Sequence, residues 1–357
     1  MSTLRQVDML VAGLGPAGGS AAARAALSGL NVLGVEKNRR IGEPVQCAEF
    51  IPLPMGRYAQ ADGVRVQAIA AMRSTLPSGT VTVTDYPGLM IDRARFDQAI
   101  ARRAEEAGAT LLTRSRLIDL NVEHRTALVS TPDGAVAVRY ELLVAADGPA
   151  STVAARMGLP ALDMVHTRQY TVPLRAPRRE TDIWLSDEFP GGYGWLFPKG
   201  NVANLGVGAD RRFADDLKGP LERLHQQLVR EGIVAEEILA RTGGPIPVSG
   251  MRDRLVDGRM LFVGDAAGLT HPITGAGIAA AVISGERAGE AAAEFIAGDS
   301  AMALQAFEED VRDQFEGTIN RALQRRAFLN RCWRTPAAQD DATMRRGWIA
   351  FEEYFAV

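Results

Sequence analysis

Val11-Ala12-Gly13-Leu14-Gly15-Pro16-Ala17-Gly18 decides the fold. It follows the apolar run Met9-Leu10-Val11-Ala12 and precedes the Ala-rich segment 20–27, so it joins an expected buried strand to an expected helix. In that setting Gly13 permits the tight turn, Gly15 lets the backbone approach a pyrophosphate, and Gly18 lets the helix pack closely on the strand. Pro16 suits a first helical turn, where its missing N–H costs nothing. The free N–H groups of that turn, with Ala17 among them, and its positive dipole end suit phosphate oxygens. A second run, Asn31-Val32-Leu33-Gly34-Val35, delivers Glu36 eighteen residues after Gly18, where a carboxylate can accept hydrogen bonds from a ribose, with Lys37 beside it. The pattern predicts an adenine dinucleotide site. Its alternative is a Gly-rich turn in another kind of α/β protein.

The chain's 357 residues suffice for about two domains, at roughly 150 residues each. A hydrophobic fraction of 46% and a charged fraction of 23% are those of a globular protein and argue against disorder. A formal charge of −3 gives no global attraction to nucleic acid or anionic membrane. Cys47 and Cys332 are the only cysteines, which argues against a disulfide framework or Cys-based metal site and favours a cytoplasmic setting. The first strand begins so near Met1 that no leader is expected, and no window approaches the length of a membrane span.

Beyond Glu36 a polar stretch ends in Pro44-Val45-Gln46-Cys47-Ala48-Glu49. Loops at the carboxyl ends of parallel strands bind ligands, so Cys47 reads either as an active-site thiol or as a small buried filler. Residues 56–85 leave the parallel pattern and end in Thr80-Val81-Thr82-Val83-Thr84, the alternation of a half-buried strand in a second sheet. Asp92-Arg93 then opens a helix through Phe96-Asp97 to Glu106. Arg93 reads equally as a contact to a cofactor oxygen and as a surface ion pair with Asp92 or Asp97. The apolar run 141–146 leads into Asp147-Gly148, a sharp turn before a helix near Ser151.

Between Arg168 and Gly208 short strand-like runs follow one another without helices, which implies an antiparallel sheet. Within it, Tyr193, Trp195 and Phe197 project to one face at period two. Such an aromatic wall suits a flat ring, an apolar substrate or a plain core cluster. The chain returns with Met260-Leu261-Phe262-Val263, then Gly264-Asp265 and Pro272-Ile273-Thr274-Gly275-Ala276-Gly277 before a long Ala-rich helix. Asp265 can accept hydrogen bonds from ribityl hydroxyls, Gly275 and Gly277 permit backbone contact with a flat ring, and the helix N-terminus can stabilise negative charge on it.

Taken in order, the Gly13–Gly18 motif with Glu36, Arg93 with Phe96-Asp97, Asp147-Gly148, and Gly264-Asp265 with Pro272 and Gly275 resemble the FAD-binding fingerprints of the para-hydroxybenzoate hydroxylase-like flavoproteins. The narrower motifs Pro44–Glu49 and Tyr193-Gly194-Trp195-Leu196-Phe197-Pro198-Lys199-Gly200 resemble the geranylgeranyl reductase group. The resemblance implies an α/β fold: a Rossmann-like FAD-binding domain (1–55, 86–165 and 250–300), an inserted antiparallel-sheet substrate domain (56–85 and 166–249), and a C-terminal helical segment (301–357).

It also implies that FAD, reduced by NADPH, NADH or a ferredoxin-like donor, saturates double bonds of an apolar or lipid substrate, with Cys47, Tyr193 and Trp195 beside flavin and substrate. The hydroxylases of the superfamily commonly carry His directly after Asp-Ala-Ala, whereas this chain has Gly268 there and His271 before Pro272, which favours the reductase branch. Two other readings stay open. One is a flavin monooxygenase acting on an aromatic small molecule or a partner-protein side chain, and the other is a flavin electron carrier or assembly factor.

After Gly298, Leu304, Phe307, Val311, Phe315, Ile319 and Leu323 form one apolar helical stripe. An Arg-rich sequel follows, carrying Trp333 and Trp348, and reads either as a solvated helix face or as a peripheral membrane contact. The segment is short for the reductase group, so its cover over an isoprenoid tunnel is expected to be reduced or different.

Overall fold

In a computed structural model, which describes residues 4–298 and 301–356, the opening motif sits at the head of a parallel sheet. Five parallel strands run side by side in the order Met260–Phe262, Gly134–Ala145, Arg5–Ala12, Val32–Val35 and Thr110–Leu112. The short strand Val256–Asp257 and the hairpin of Arg116–Asn121 with Thr126–Thr131 extend the sheet antiparallel. The central strands are buried on both faces, which is why Met9-Leu10-Val11-Ala12 is a continuous apolar run and not an alternating one. Register aligns Ala12 with Val35 and with Ala145. The turns that follow these strands therefore open at one level.

The helices are α1 (Pro16–Leu27), α2 (Arg93–Glu106), α3 (Thr152–Arg156), α4 (Lys218–Arg230), α5 (Ile278–Gly298), α6 (Ala301–Cys332) and α7 (Asp341–Gly347). Asp92 caps α2 by accepting from the Arg95 N–H at 2.9 Å, so the Asp-Arg start predicted from sequence is a true N-terminus. The stripe on α6 packs as expected, with Leu304, Phe307, Val311 and Ile319 buried against the first core.

The second sheet runs Ala240–Thr242, Met164–Pro173, Val202–Ala209, Gly194–Lys199, Glu180–Trp184, Arg65–Thr75, Val81–Ile91 and Phe50–Pro52, and Pro245–Pro247 also pairs with Met164–Pro173. All pairings are antiparallel except Glu180–Trp184 on Arg65–Thr75. The sheet takes in residues 50–52 and 86–91, which the sequence reading had assigned to the cofactor domain. Hairpin pairing with Arg65–Thr75 carries the strand on past Thr84 to Ile91.

Period-two alternation gives this sheet two different faces. Leu196, Leu205 and Val207 pack outward on Leu221, Leu224 and Leu228 of α4, each such side chain contributing about 1.5–3 kcal/mol by burial. Trp195 points the other way. The inner face is thereby left for the cavity between the two sheets.

Candidate active site

The first-sheet turns build a cradle from backbone. Gly13 has φ +92° and donates to the Val35 carbonyl at 2.8 Å; a Cβ there would lie 2.4 Å from the Ala146 oxygen. At Gly18 a Cβ would lie 1.9 Å from the Gly13 oxygen, so helix and strand approach closely. Around Gly15 no protein atom stands within 4 Å of such a Cβ, and this residue opens onto the cavity. Pro16 is the first residue of α1, whose initial N–H groups lack intrahelical partners. Glu36 is buried and accepts from the N–H groups of Leu14 at 3.1 Å and Asn38 at 2.9 Å, tying the two turns together. Lys37 is exposed.

Asp147 spends Oδ2 on the N–H groups of Thr152 and Val153, at 2.6 and 3.1 Å, and so holds the start of α3. Its Oδ1 is buried without a partner. Asp265 accepts from the Thr270 hydroxyl at 2.5 Å, and burial pushes its carboxyl up, against the lowering effects of Thr270 and Arg93. Gly277 leaves room beside both groups, since a Cβ would come within 2.9 Å of Thr270 Oγ1 and 3.2 Å of Asp265 Oδ1.

Opposite this cradle, the Pro44–Glu49 loop is pinned to the second sheet. Thr242 Oγ1 donates to the Val45 carbonyl at 2.8 Å, and Gln169 Nε2 donates to that of Cys47 at 3.2 Å. Glu49 stands in the left-handed region, φ +69°, a strain of about 1–3 kcal/mol for a residue with a Cβ. Three donors hold it there: Lys199 Nζ at 2.8 Å, Asn204 Nδ2 at 2.9 Å and the Arg93 N–H at 2.9 Å. The Arg93 guanidinium pairs with Asp97 at 2.8 Å, but inside the protein, with Asp97 at 3% side-chain exposure. That ion pair is therefore buried and borders the cavity, unlike the surface pair considered from sequence. The Cys47 thiol accepts from the Glu49 N–H at 3.2 Å; burial pushes its pKa up more than the nearby Arg93 lowers it.

The aromatic wall faces inward as the alternation predicts. Trp195 Nε1 donates to Gln169 Oε1 at 3.1 Å, so one amide fixes both the indole and the Cys47 loop. Tyr193 donates its hydroxyl proton to the Thr274 carbonyl at 2.5 Å, and burial raises its pKa. His271 turns the same loop: Nδ1 accepts from the N–H groups of Ile273 and Thr274 at 3.3 and 3.2 Å. The neutral ring therefore carries its proton on Nε2, which meets Tyr354 Oη at 3.3 Å. Burial lowers the His271 pKa to about 4.

The C-terminal segment folds back over this site. Trp333 and Trp348 are buried with Ile183, Trp195 and Met344, which corrects the expectation of a Trp-bearing surface for lipid. Arg326 is buried too, bonding Asp210 Oδ2 at 2.8 Å and the Gly191 carbonyl at 2.9 Å. Arg321, Arg331, Arg334 and Arg346 remain exposed. No helix among the described residues is long and apolar enough to cross a membrane.

One cavity of about 510 Å³ joins cradle and wall. Of the residues singled out from sequence it is lined by Gly15, Pro16, Ala17, Cys47, Arg93, Gly148, Tyr193, Trp195, Asp265, Pro272, Gly275 and Gly277. Gly13, Gly18 and Gly264 pack behind it, and Glu36, Lys37 and Asp147 lie outside its lining. The open space at Gly15, the orphaned Asp147 oxygen and the room beside Asp265 and Gly277 fit a dinucleotide with a flat ring, as FAD requires. Sequence reasoning gave no role to Glu49, Gln169, Lys199, Asn204 or Arg326. A polar residue in an otherwise apolar strand, such as Gln169 or Asn204, was the available signal.

The family model described as FAD dependent oxidoreductase matches residues 55–291. A digeranylgeranylglycerophospholipid reductase of Methanocella arvoryzae is 33% identical over 338 residues, covering 88% of this chain and 85% of its own. Digeranylgeranylglycerophospholipid reductase 2 of Methanothermobacter thermautotrophicus is 35% identical over 350 residues, covering 90% and 88%. Among solved structures, a geranylgeranyl bacteriochlorophyll reductase-like protein of Thermoplasma acidophilum superimposes with a TM-score of 0.88 at 27% identity, covering 99% of this chain and 94% of its own. With the dinucleotide cradle and the aromatic wall meeting in one cavity, the chain belongs to the FAD-dependent oxidoreductases, in their geranylgeranyl reductase group.

Proposed function

We propose that this oxidoreductase saturates carbon–carbon double bonds of an isoprenoid chain, carried by a lipid of the kind named for its relatives. The observation that carries the reading is that an aromatic and aliphatic wall, with Trp195, Phe197, Ile183 and Met72, lines the same cavity as the cofactor cradle. Bound FAD, once reduced, supplies the hydride equivalent. Gly15, Pro16, Ala17 and the start of α1 hold its pyrophosphate, Glu36 the ribose, Asp265 the ribityl chain, and the Pro272–Gly277 loop the flat ring. Arg93, Asp147, Gly148 and Gly264 complete that cradle, with Lys37 at its solvent edge.

Trp195 and Phe197 lay the alkene flat and exclude water from it. Tyr193 has its proton committed to the Thr274 carbonyl, so it acts by fixing the ring-contact loop against the wall. Cys47 keeps its proton on Sγ at neutral pH because burial raises its pKa, and of the two protonated side chains it is the one offered as the proton source. The electron source is a transient donor, NADPH, NADH or a ferredoxin-like protein. The exposed Arg321, Arg331, Arg334 and Arg346 give peripheral attraction to anionic headgroups, at about 1 kcal/mol each near the surface.

Purified FAD-loaded protein, chemically reduced, is incubated with a geranylgeranylated glycerophospholipid once without oxygen and once in air, and the product is weighed by mass spectrometry. Gain of hydrogen pairs supports the reading. Gain of one oxygen, and only in air, replaces it with the monooxygenase.

A further inference from the structure

The inner face of the second sheet has two flanks. On one, strand register runs from Gln169 through Gly206 to Trp195. The Trp195 indole fills the space Gly206 leaves, where a Cβ would come within 2.2 Å of the ring, and it reaches Gln169 on the Cys47 side. On the other flank, register continues from Trp195 through Ile183 to Ser74. There the indole of Trp348 comes down from the C-terminal segment. Its Nε1 donates to Ser74 Oγ at 3.2 Å, and its ring stands edge-on to Tyr193, with centroids 4.9 Å apart at 61°. Trp348 and Ile349 both line the cavity, and the Thr84 hydroxyl bonds the Ala350 carbonyl just beyond.

Behind Trp348 lies a second, smaller void of about 20 Å³, walled by Leu185, Leu329, Trp333 and Met344. Gly191, Gly192, Tyr193, Ile273, Arg326 and Trp348 border both spaces. The Trp348 indole is the largest side chain of that shared wall, held by one hydrogen bond and one ring contact.

We infer that Trp348 sets the length of prenyl chain the site accepts. This rests on the isoprenoid reading above. With the reacting double bond beside Cys47 and the cradle, the rest of the chain follows the apolar face across Ile183 and ends against the indole. Truncating Trp348 joins the two voids and admits a longer chain. Enlarging Ile349 shortens the space on the near side. A single methylene in an apolar pocket changes discrimination by about 10- to 200-fold, so a change in accommodated length is readily measured.

The test uses FAD-loaded wild type, Trp348→Ala, Trp348→Phe and Ile349→Trp. Each is titrated with geraniol, farnesol and geranylgeraniol, and Kd is read from perturbation of the flavin absorbance; the same alcohols are then offered to the reduced proteins. Trp348→Ala is expected to move the Kd ratio of geraniol to geranylgeraniol toward the longer alcohol by at least about tenfold. Trp348→Phe moves it less in the same direction, and Ile349→Trp moves it the other way. Ratios unchanged in variants that keep wild-type flavin content and melting temperature overturn the inference, as does equal weakening for all three alcohols. Should Trp348→Ala fail to fold, the other two variants decide by the same ratio. Wild type that neither binds nor reduces any of the alcohols overturns the isoprenoid reading itself, and the inference with it.

Discussion

His271→Asn separates a histidine kept neutral by desolvation from one that takes up a proton as freely as the unfolded chain does. His271 Nδ1 accepts two backbone N–H bonds and its Nε2 faces a tyrosine hydroxyl, so no carboxylate in these contacts rewards a charged ring. Burial therefore lowers its pKa from 6.5 to about 4. Across that window the unfolded chain binds the proton that the folded one refuses. Stability is thus full above pH 6.5 and is lost as pH falls toward 4, by about 3 kcal/mol in total at ~1.36 kcal/mol per unit. Between pH 7 and pH 5 the share is about 2 kcal/mol. Asparagine can accept from the same turn N–H groups without titrating. Urea unfolding of the FAD-loaded proteins at both pH values is expected to show wild type losing about 2 kcal/mol more than the variant, other titrating groups cancelling in the difference. Losses equal within about 0.5 kcal/mol would refute the neutral, desolvated ring.

Two further substitutions probe the cradle and the C-terminal cover. Gly15→Ala places a methyl where no protein atom lies within 4 Å, so apoprotein melting should hold while flavin retained through gel filtration falls sharply; full flavin content would remove Gly15 from the cofactor contact. Arg326→Met strands the Asp210 carboxylate, at 4% side-chain exposure, and frees the Gly191 carbonyl. Breaking such a pair costs about 3–5 kcal/mol, and Arg212, which also bonds Asp210, brings the expectation to about 3 kcal/mol in urea unfolding. Adding Asp210→Asn should restore part of it, and a loss under about 1 kcal/mol would show the bridge to be unimportant.

The cofactor half of the protein was legible in the chain because its requirements are local. A turn that must take φ +92°, a helix start that must carry Pro16 and an acid that must follow the second strand are each met by consecutive residues, so spacing alone reports them. The alternation Tyr193, Trp195, Phe197 likewise fixed which side chains share a face. Sequence could not say what that face looks at. Glu49, 150 residues from Lys199 and 155 from Asn204, owes its place to donors on strands of the second sheet that lie far away along the chain. The extension of the second sheet to Ile91 depends on the pairing partner and not on the strand's own pattern.

The C-terminal tryptophans mark the sharpest difference. Beside so many arginines they read as surface in sequence, yet Ser74 and Tyr193, far away along the chain, bury Trp348 as a wall of the cavity. Local backbone demands leave a trace in sequence spacing. The walls of a cavity between two sheets are set by long-range packing, which has no fixed spacing to read.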